Sequence, residues 1–175
     1  MANALTNFQL LELAKKMSDV PIANIVFKDD LDEIDFEFNK GYIINMQDAV
    51  NEKGERQSGT HWVCFICMKY PNDKQSGFYY DSYGLGPPKE VTKFCKGIRL
   101  RHNIADHQCL MDSVCGFYCL AYLYFVTRFR GRSKHLIEDS EHFCSLFHDL
   151  NTETDFKYNE FVLEQFFKKG EIKEE

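Results

Sequence analysis

Four side chains stand in an order that suits acyl-transfer chemistry: His61, Asp81, Gln108 and Cys115. Each sits in a marked local setting. His61 lies in Gly59-Thr-His-Trp-Val63, Asp81 in Tyr79-Tyr-Asp-Ser-Tyr-Gly84, and Gln108 and Cys115 in Asp106-His-Gln-Cys-Leu-Met-Asp-Ser-Val-Cys-Gly-Phe-Tyr-Cys119. A thiol attacks a carbonyl as the thiolate, a minor form of a free cysteine at neutral pH. An imidazole beside it takes the proton, a carboxylate holds the imidazole in one tautomer, and a carboxamide N–H steadies the oxyanion. Taken singly, each residue has a plainer reading: a structural histidine, a turn aspartate, a solvated glutamine, a buried core thiol. The ordered set of four carries the argument. Cys109 is the rival nucleophile, but it has no glycine after it and no helix start beneath it.

The elements that must position these groups are legible in the periodicity. Val114, Phe117, Leu120, Ala121, Tyr124 and Phe125 recur at helical spacing and predict a helix over 113–127, capped by Asp112 or Ser113. Cys115 then falls in the first turn, where the helix end favours an anion. Gly116 is expected to let a substrate backbone approach. His61 opens a strand predicted over 62–70, and the indole of Trp62 is expected to lie over the substrate path. Asp81 follows a strand at 77–80. A further strand is predicted at 42–46 and a short one at 98–101, with an exposed loop over 51–59. Helices are predicted from a Thr6/Gln9 capping box to Met17, over 88–96, over 134–150 and over 155–169. The last is expected to bury Phe156, Phe161, Val162 and Phe166. Segment 20–27 is mixed, the acidic run 29–37 reads as a surface loop, and the tail from 169 or 170 to 175 should fray. The sum is a single α+β domain over 1–175: a small, mostly antiparallel sheet packed on a central helix that carries the nucleophile.

Composition bounds the alternatives. The 175 residues are 44% hydrophobic, with 16 Phe and 9 Tyr, enough for one well-filled core. There is no long uncharged apolar stretch, so no membrane span is expected. The first residues lack a signal-peptide pattern, so secretion is not expected. Seven cysteines at no framework spacing read as reduced thiols in a reducing compartment. Cys64-x-x-Cys67 lies inside a predicted strand with no second pair, so no metal site is assigned. The net charge of −6 argues against nucleic-acid binding by composition. Arg128, Arg130, Arg132 and Lys134 form the one dense cationic run. It suits the C-terminal end of the preceding helix, with weak polyanion contact as the lesser reading.

Together, Gly59-Thr-His-Trp-Val63, Tyr80-Asp-Ser-Tyr-Gly84, Pro87-Pro-Lys-Glu-Val91 and Gln108 through Cys115-Gly-Phe-Tyr-Cys119 resemble the adenain-like cysteine proteases. That family includes the adenovirus maturation protease and relatives in virophages, Polinton-type elements and other large DNA viruses. The resemblance implies the cysteine-protease fold of the adenain/ubiquitin-like-protease type. It implies His61, Asp81 and Cys115 as the triad and Gln108 at the oxyanion hole. It further implies a monomeric endopeptidase that cuts viral capsid or core precursors at Gly-containing sites, in the virion and at the host-cell site of assembly. Adenoviral members carry Glu at the acid position; Asp81 matches the virophage-like and ubiquitin-like-protease patterns. The same plan occurs in proteases of SUMO-like modifiers, so a deconjugating protease is the first alternative. A catalytically silent structural relative is the second, against which the full set of four residues argues. Adenoviral members respond to a short peptide and to DNA. Nothing in this sequence supplies such a peptide, and its acidic balance argues against a DNA requirement, so no cofactor is expected.

Overall fold

The computed structural model describes residues 4–57, 60–109, 113–129 and 135–171. Five strands form one sheet in chain order: β1 (Ile22–Phe27), β2 (Gly41–Asn45), β3 (Trp62–Lys69), β4 (Gln75–Tyr80) and β5 (Leu100–His102). The three central strands are antiparallel, but β1 runs parallel to β2 and β5 parallel to β4. The sheet is thus half parallel rather than mostly antiparallel. A parallel neighbour needs a crossover rather than a hairpin. The acidic run supplies one, as a 3-10 turn at Lys28–Glu33, and helix α2 (Lys89–Phe94) supplies the other.

β3 is buried on both faces, and its side chains alternate between two cores. Trp62, Cys64, Ile66 and Met68 face one; Val63, Phe65 and Cys67 face the other, with Leu31, Val91 and Phe94 from the two crossovers. Cys64 and Cys67 therefore point to opposite sides of the sheet and share no ligand site.

Helix α3 (Cys115–Tyr124) is apolar all round and fills the first core, as a helix of that composition must. It ends in a π-helical turn at Phe125–Phe129. Around it pack α1 (Asn7–Lys16), α4 (Leu136–Ser145) and α5 (Glu153–Glu171). The Thr6/Gln9 capping box of α1 is present in both directions. The N-cap of α3 is Val114, with no side-chain cap bond; Ser113 does not take that role, and Asp112 lies outside the described residues.

α5 departs from expectation. Phe161 is 59% exposed, while Leu163 and Asn159 are buried. Asn159 is a polar residue at a core position, which hides the inward stripe from a hydrophobicity reading. Its amide donates to the carbonyls of His107 and His148 and accepts from the His148 N–H. α5 is helical to Glu171, so fraying from 169 is not seen that early; 172–175 lie outside the described residues. Among the described residues no helix is long and apolar enough to cross a membrane.

Candidate active site

His61 enters β3 from a tightly held corner. Asn45 pairs with Trp62 in the sheet, the Met46 N–H donates to the His61 carbonyl at 2.9 Å, and the Thr60 N–H donates to Asn45 Oδ1 at 3.2 Å. The imidazole Nε2 meets Asp81 Oδ1 at 2.7 Å. Asp81 follows β4 directly, is 1% exposed, and also accepts the Tyr83 N–H at 2.8 Å. Asn103, just past β5, clamps the Asp81 backbone. Its Oδ1 accepts the Asp81 N–H at 3.0 Å and its Nδ2 donates to the Asp81 carbonyl at 2.6 Å. A side chain thus continues the β4–β5 ladder where β5 has ended.

Cys115 is the first residue of α3 and 3% exposed. Its sulfur accepts the backbone N–H of Trp62 at 3.3 Å. With Nε2 engaged by Asp81, Nδ1 is the ring nitrogen left for Cys115, and it is buried. Burial works against a charged His61. Hydrogen bonding and charge from Asp81 and Cys115 outweigh it and raise the pKa from 6.5 to about 9. The resting imidazole is therefore charged at neutral pH, the state that stabilises a neighbouring thiolate.

Gln108 is 2% exposed, and its orientation is fixed. Oε1 accepts the Ser82 hydroxyl at 2.6 Å, and the Gln108 N–H donates to the Ser82 carbonyl at 3.2 Å. Nε2 is therefore the donor end of the amide. The N–H of Cys115, at the start of a helix, has no intrahelical acceptor and is the second donor available to an oxyanion.

No protein-family model and no curated sequence matches the chain. Solved structures do. The ASFV pS273R protease superposes with a TM-score of 0.55 at 18% identity, covering 90% of this chain and 66% of that one. Its selenomethionine crystal form gives 0.53 at 17% identity, covering 92% and 67%. The chain shares the fold of pS273R. That settles the α+β architecture as the ubiquitin-like-protease type; this chain spans just under two thirds of the length of pS273R.

On the pS273R-like frame, the structure brings His61, Asp81 and Cys115 together from β3, the end of β4 and the start of α3, with Gln108 beside Ser82. Two expected substrate residues are placed elsewhere. The Trp62 indole is 6% exposed, lies in the core and donates to the Leu5 carbonyl at 2.8 Å, so it is covered by the segment before α1 and not laid over an open path. Gly116 faces α1: a Cβ there would sit 3.0 Å from Leu10 Cδ2 and 3.4 Å from Leu5 Cδ1. Its missing side chain makes room for α1. Cys109 is exposed and has no part in the His61 cluster. Of the cationic run, 130–134 lie outside the described residues, and Arg128 donates to the Asp19 carbonyl at 2.8 Å.

The sequence reading missed Ser82, Tyr83 and Asn103. Ser82 and Tyr83 were visible in Asp-Ser-Tyr-Gly, a pattern that also spells a turn. Asn103 gives no sequence signal, because it works on a backbone.

Proposed function

We propose that the chain is a cysteine endopeptidase that cuts viral precursor proteins during particle maturation. One observation carries the reading: Cys115 at a helix start, under the Trp62 N–H, shares its site with an imidazole held by a buried carboxylate. In the reaction the Cys115 sulfur attacks the scissile carbonyl carbon. His61 gives its proton to the departing amine, leaving an acyl-enzyme. His61, now neutral, takes a proton from water as the water displaces the thiolate. Gln108 Nε2 and the Cys115 N–H donate to the oxyanion in both steps.

The viral substrate class is supported by the sequence motifs and by the fold shared with pS273R. A preference for Gly before the cut rests on the family resemblance alone, since the Trp62 indole is buried. The same resemblance supports action in the virion and at the site of assembly. The negative overall charge supports weak, salt-sensitive polyanion binding with no required activation by DNA. Incubation with structural precursors from the same genome, read by mass spectrometry, tests the proposal. Cleavage by the wild type and none by Cys115→Ala is expected. A covalent thiol probe that labels Cys109 in place of Cys115 would reject it.

A further inference from the structure

Gln108 stands in the loop between β5 and α3, so its place depends on what that loop is tied to. The peptide unit that joins His107 to Gln108 is pinned at both ends. Its N–H, that of Gln108, donates to the Ser82 carbonyl at 3.2 Å. Its carbonyl, that of His107, accepts two bonds at once: from the Tyr118 hydroxyl at 3.0 Å and from Asn159 Nδ2 at 3.1 Å. Both donors are buried, Tyr118 at 2% and Asn159 at 0% exposure, so water does not stand in for either. Asn159 is held in turn. Its Oδ1 accepts the His148 N–H at 2.7 Å and its amide donates to the His148 carbonyl at 2.8 Å, so the amide cannot turn. Tyr118 lies one turn along α3 from Cys115, so the helix that carries the sulfur also grips the peptide beside Gln108.

We propose that Tyr118 and Asn159 are positioning residues for the proposed protease reaction: by clamping the His107 carbonyl they set where the Gln108 amide stands relative to Cys115. The inference rests on the active-site reading and deepens it. A peptide unit is a rigid plane, and Cα of Gln108 lies in it. The bond to Ser82 alone would let that plane pivot. Two donors on the two lone pairs of the carbonyl remove the pivot and fix Cα. The Ser82 hydroxyl then fixes the far end of the side chain through Oε1. Neither Tyr118 nor Asn159 acts on the reacting atoms; each acts through Gln108, Tyr118 from the nucleophile's own helix and Asn159 from α5.

Two small reagents test this without a substrate. p-Nitrophenyl acetate acetylates the Cys115 sulfur through a tetrahedral oxyanion and expels p-nitrophenolate, read by its colour. Methyl methanethiosulfonate forms a disulfide with the same thiolate and expels methanesulfinate; it has no carbonyl and makes no oxyanion. Each rate is the part lost in Cys115→Ala. Tyr118→Phe, which removes only the hydroxyl, should slow acetylation by about 10-fold and leave disulfide formation unchanged. Adding Asn159→Leu should bring the loss to about 100-fold, the scale of a misplaced group. In a Gln108→Ala background Tyr118→Phe should add nothing. Leu163→Ala loosens α5 without touching the His107 carbonyl, and should lower the thermal midpoint while keeping the ratio of the two rates. A ratio unchanged by Tyr118→Phe, a full effect of Tyr118→Phe in the absence of Gln108, or a ratio lowered as far by Leu163→Ala as by Tyr118→Phe overturns the proposal alone. A wild type with no Cys115-dependent acetylation overturns the active-site reading and this proposal with it.

Discussion

Cys115, His61 and Asp81 differ in what each would lose on substitution. In the proposed reaction Cys115→Ala removes the nucleophile, and His61→Ala removes the group that charges it, so both should abolish turnover to a similar extent. Asp81→Asn keeps the shape and loses the charge that holds His61, and should be milder. Gln108→Ala should cost about 10²- to 10³-fold in kcat, the usual loss for one oxyanion donor; wild-type turnover in that variant would remove it from the site. The pH profile follows from the same pairing. In the proposed reaction the His61 imidazole must carry a proton, and its pKa is raised to about 9. The kcat/KM profile should fall as pH rises through about 9, and Asp81→Asn should bring that limb to lower pH. The sequence singled out these four residues because each brings its own reactive group beside a local signature, and the structure places an imidazole–carboxylate pair and a helix-start thiol in one site. Trp62 and Gly116 were read in the wrong direction. A sequence shows that a glycine leaves room, not who takes it, and here Leu10 and Leu5 do.

At the scale of elements, Cys115 is held at the start of a helix that is itself braced. α1 lies against the first turn of α3 through Leu10 at Gly116, and the segment before it caps the Trp62 indole. Gly116→Val puts two methyl groups into that contact. It should cost about 1 to 3 kcal/mol by overpacking and lower turnover by displacing α1 or the start of α3. Leu10→Ala in the same chain should restore part of both, and thermal melts and turnover of the single and double variants measure the coupling. No rescue would mean that Gly116 is needed for its backbone and not for its space. The helices and the three central strands were legible because their faces repeat at their own periods. Of the outer strands, β5 (Leu100–His102) overlaps the short strand expected at 98–101, but β1 was not read as a strand. β1 is half-buried along its whole length, without alternation, and which neighbour it joins, and in which direction, is decided by the crossover rather than by its own residues. α5 was misread for a related reason: Asn159 at its centre is polar and satisfied, and a hydrophobic stripe does not count it.

For the whole molecule, two buried histidines pull the stability curve in opposite directions. An unfolded histidine titrates near 6.5. In the folded chain burial opposes the charge on His61, but Asp81 and Cys115 prevail and raise its pKa to about 9. The native state then holds that proton more tightly than the unfolded state does. The resulting stability is complete below about pH 6.5 and is lost as pH rises through about 9. His107 has the reverse sign. Burial lowers its pKa to about 4, offset only in part by the charges of Asp149 and Asp106. Its ring is packed between Tyr80 and Phe147, with Nδ1 bonded to the Tyr80 hydroxyl and Nε2 buried without a partner, so a second proton has no acceptor to meet. The unfolded chain takes that proton first. The stability from a neutral His107 is present above about pH 6.5 and is lost as pH falls through about 4. Each effect is on the order of 3 kcal/mol, large against the usual net stability of a domain. Urea unfolding should give the highest midpoint near pH 6.5, with lower midpoints near pH 4 and near pH 9. His61→Asn should flatten the alkaline side and leave the acid side sloped, and His107→Phe should do the opposite, whatever either does to the absolute midpoint. An acid slope that survives His107→Phe would assign the acid loss to the carboxylates and take His107 out of the account.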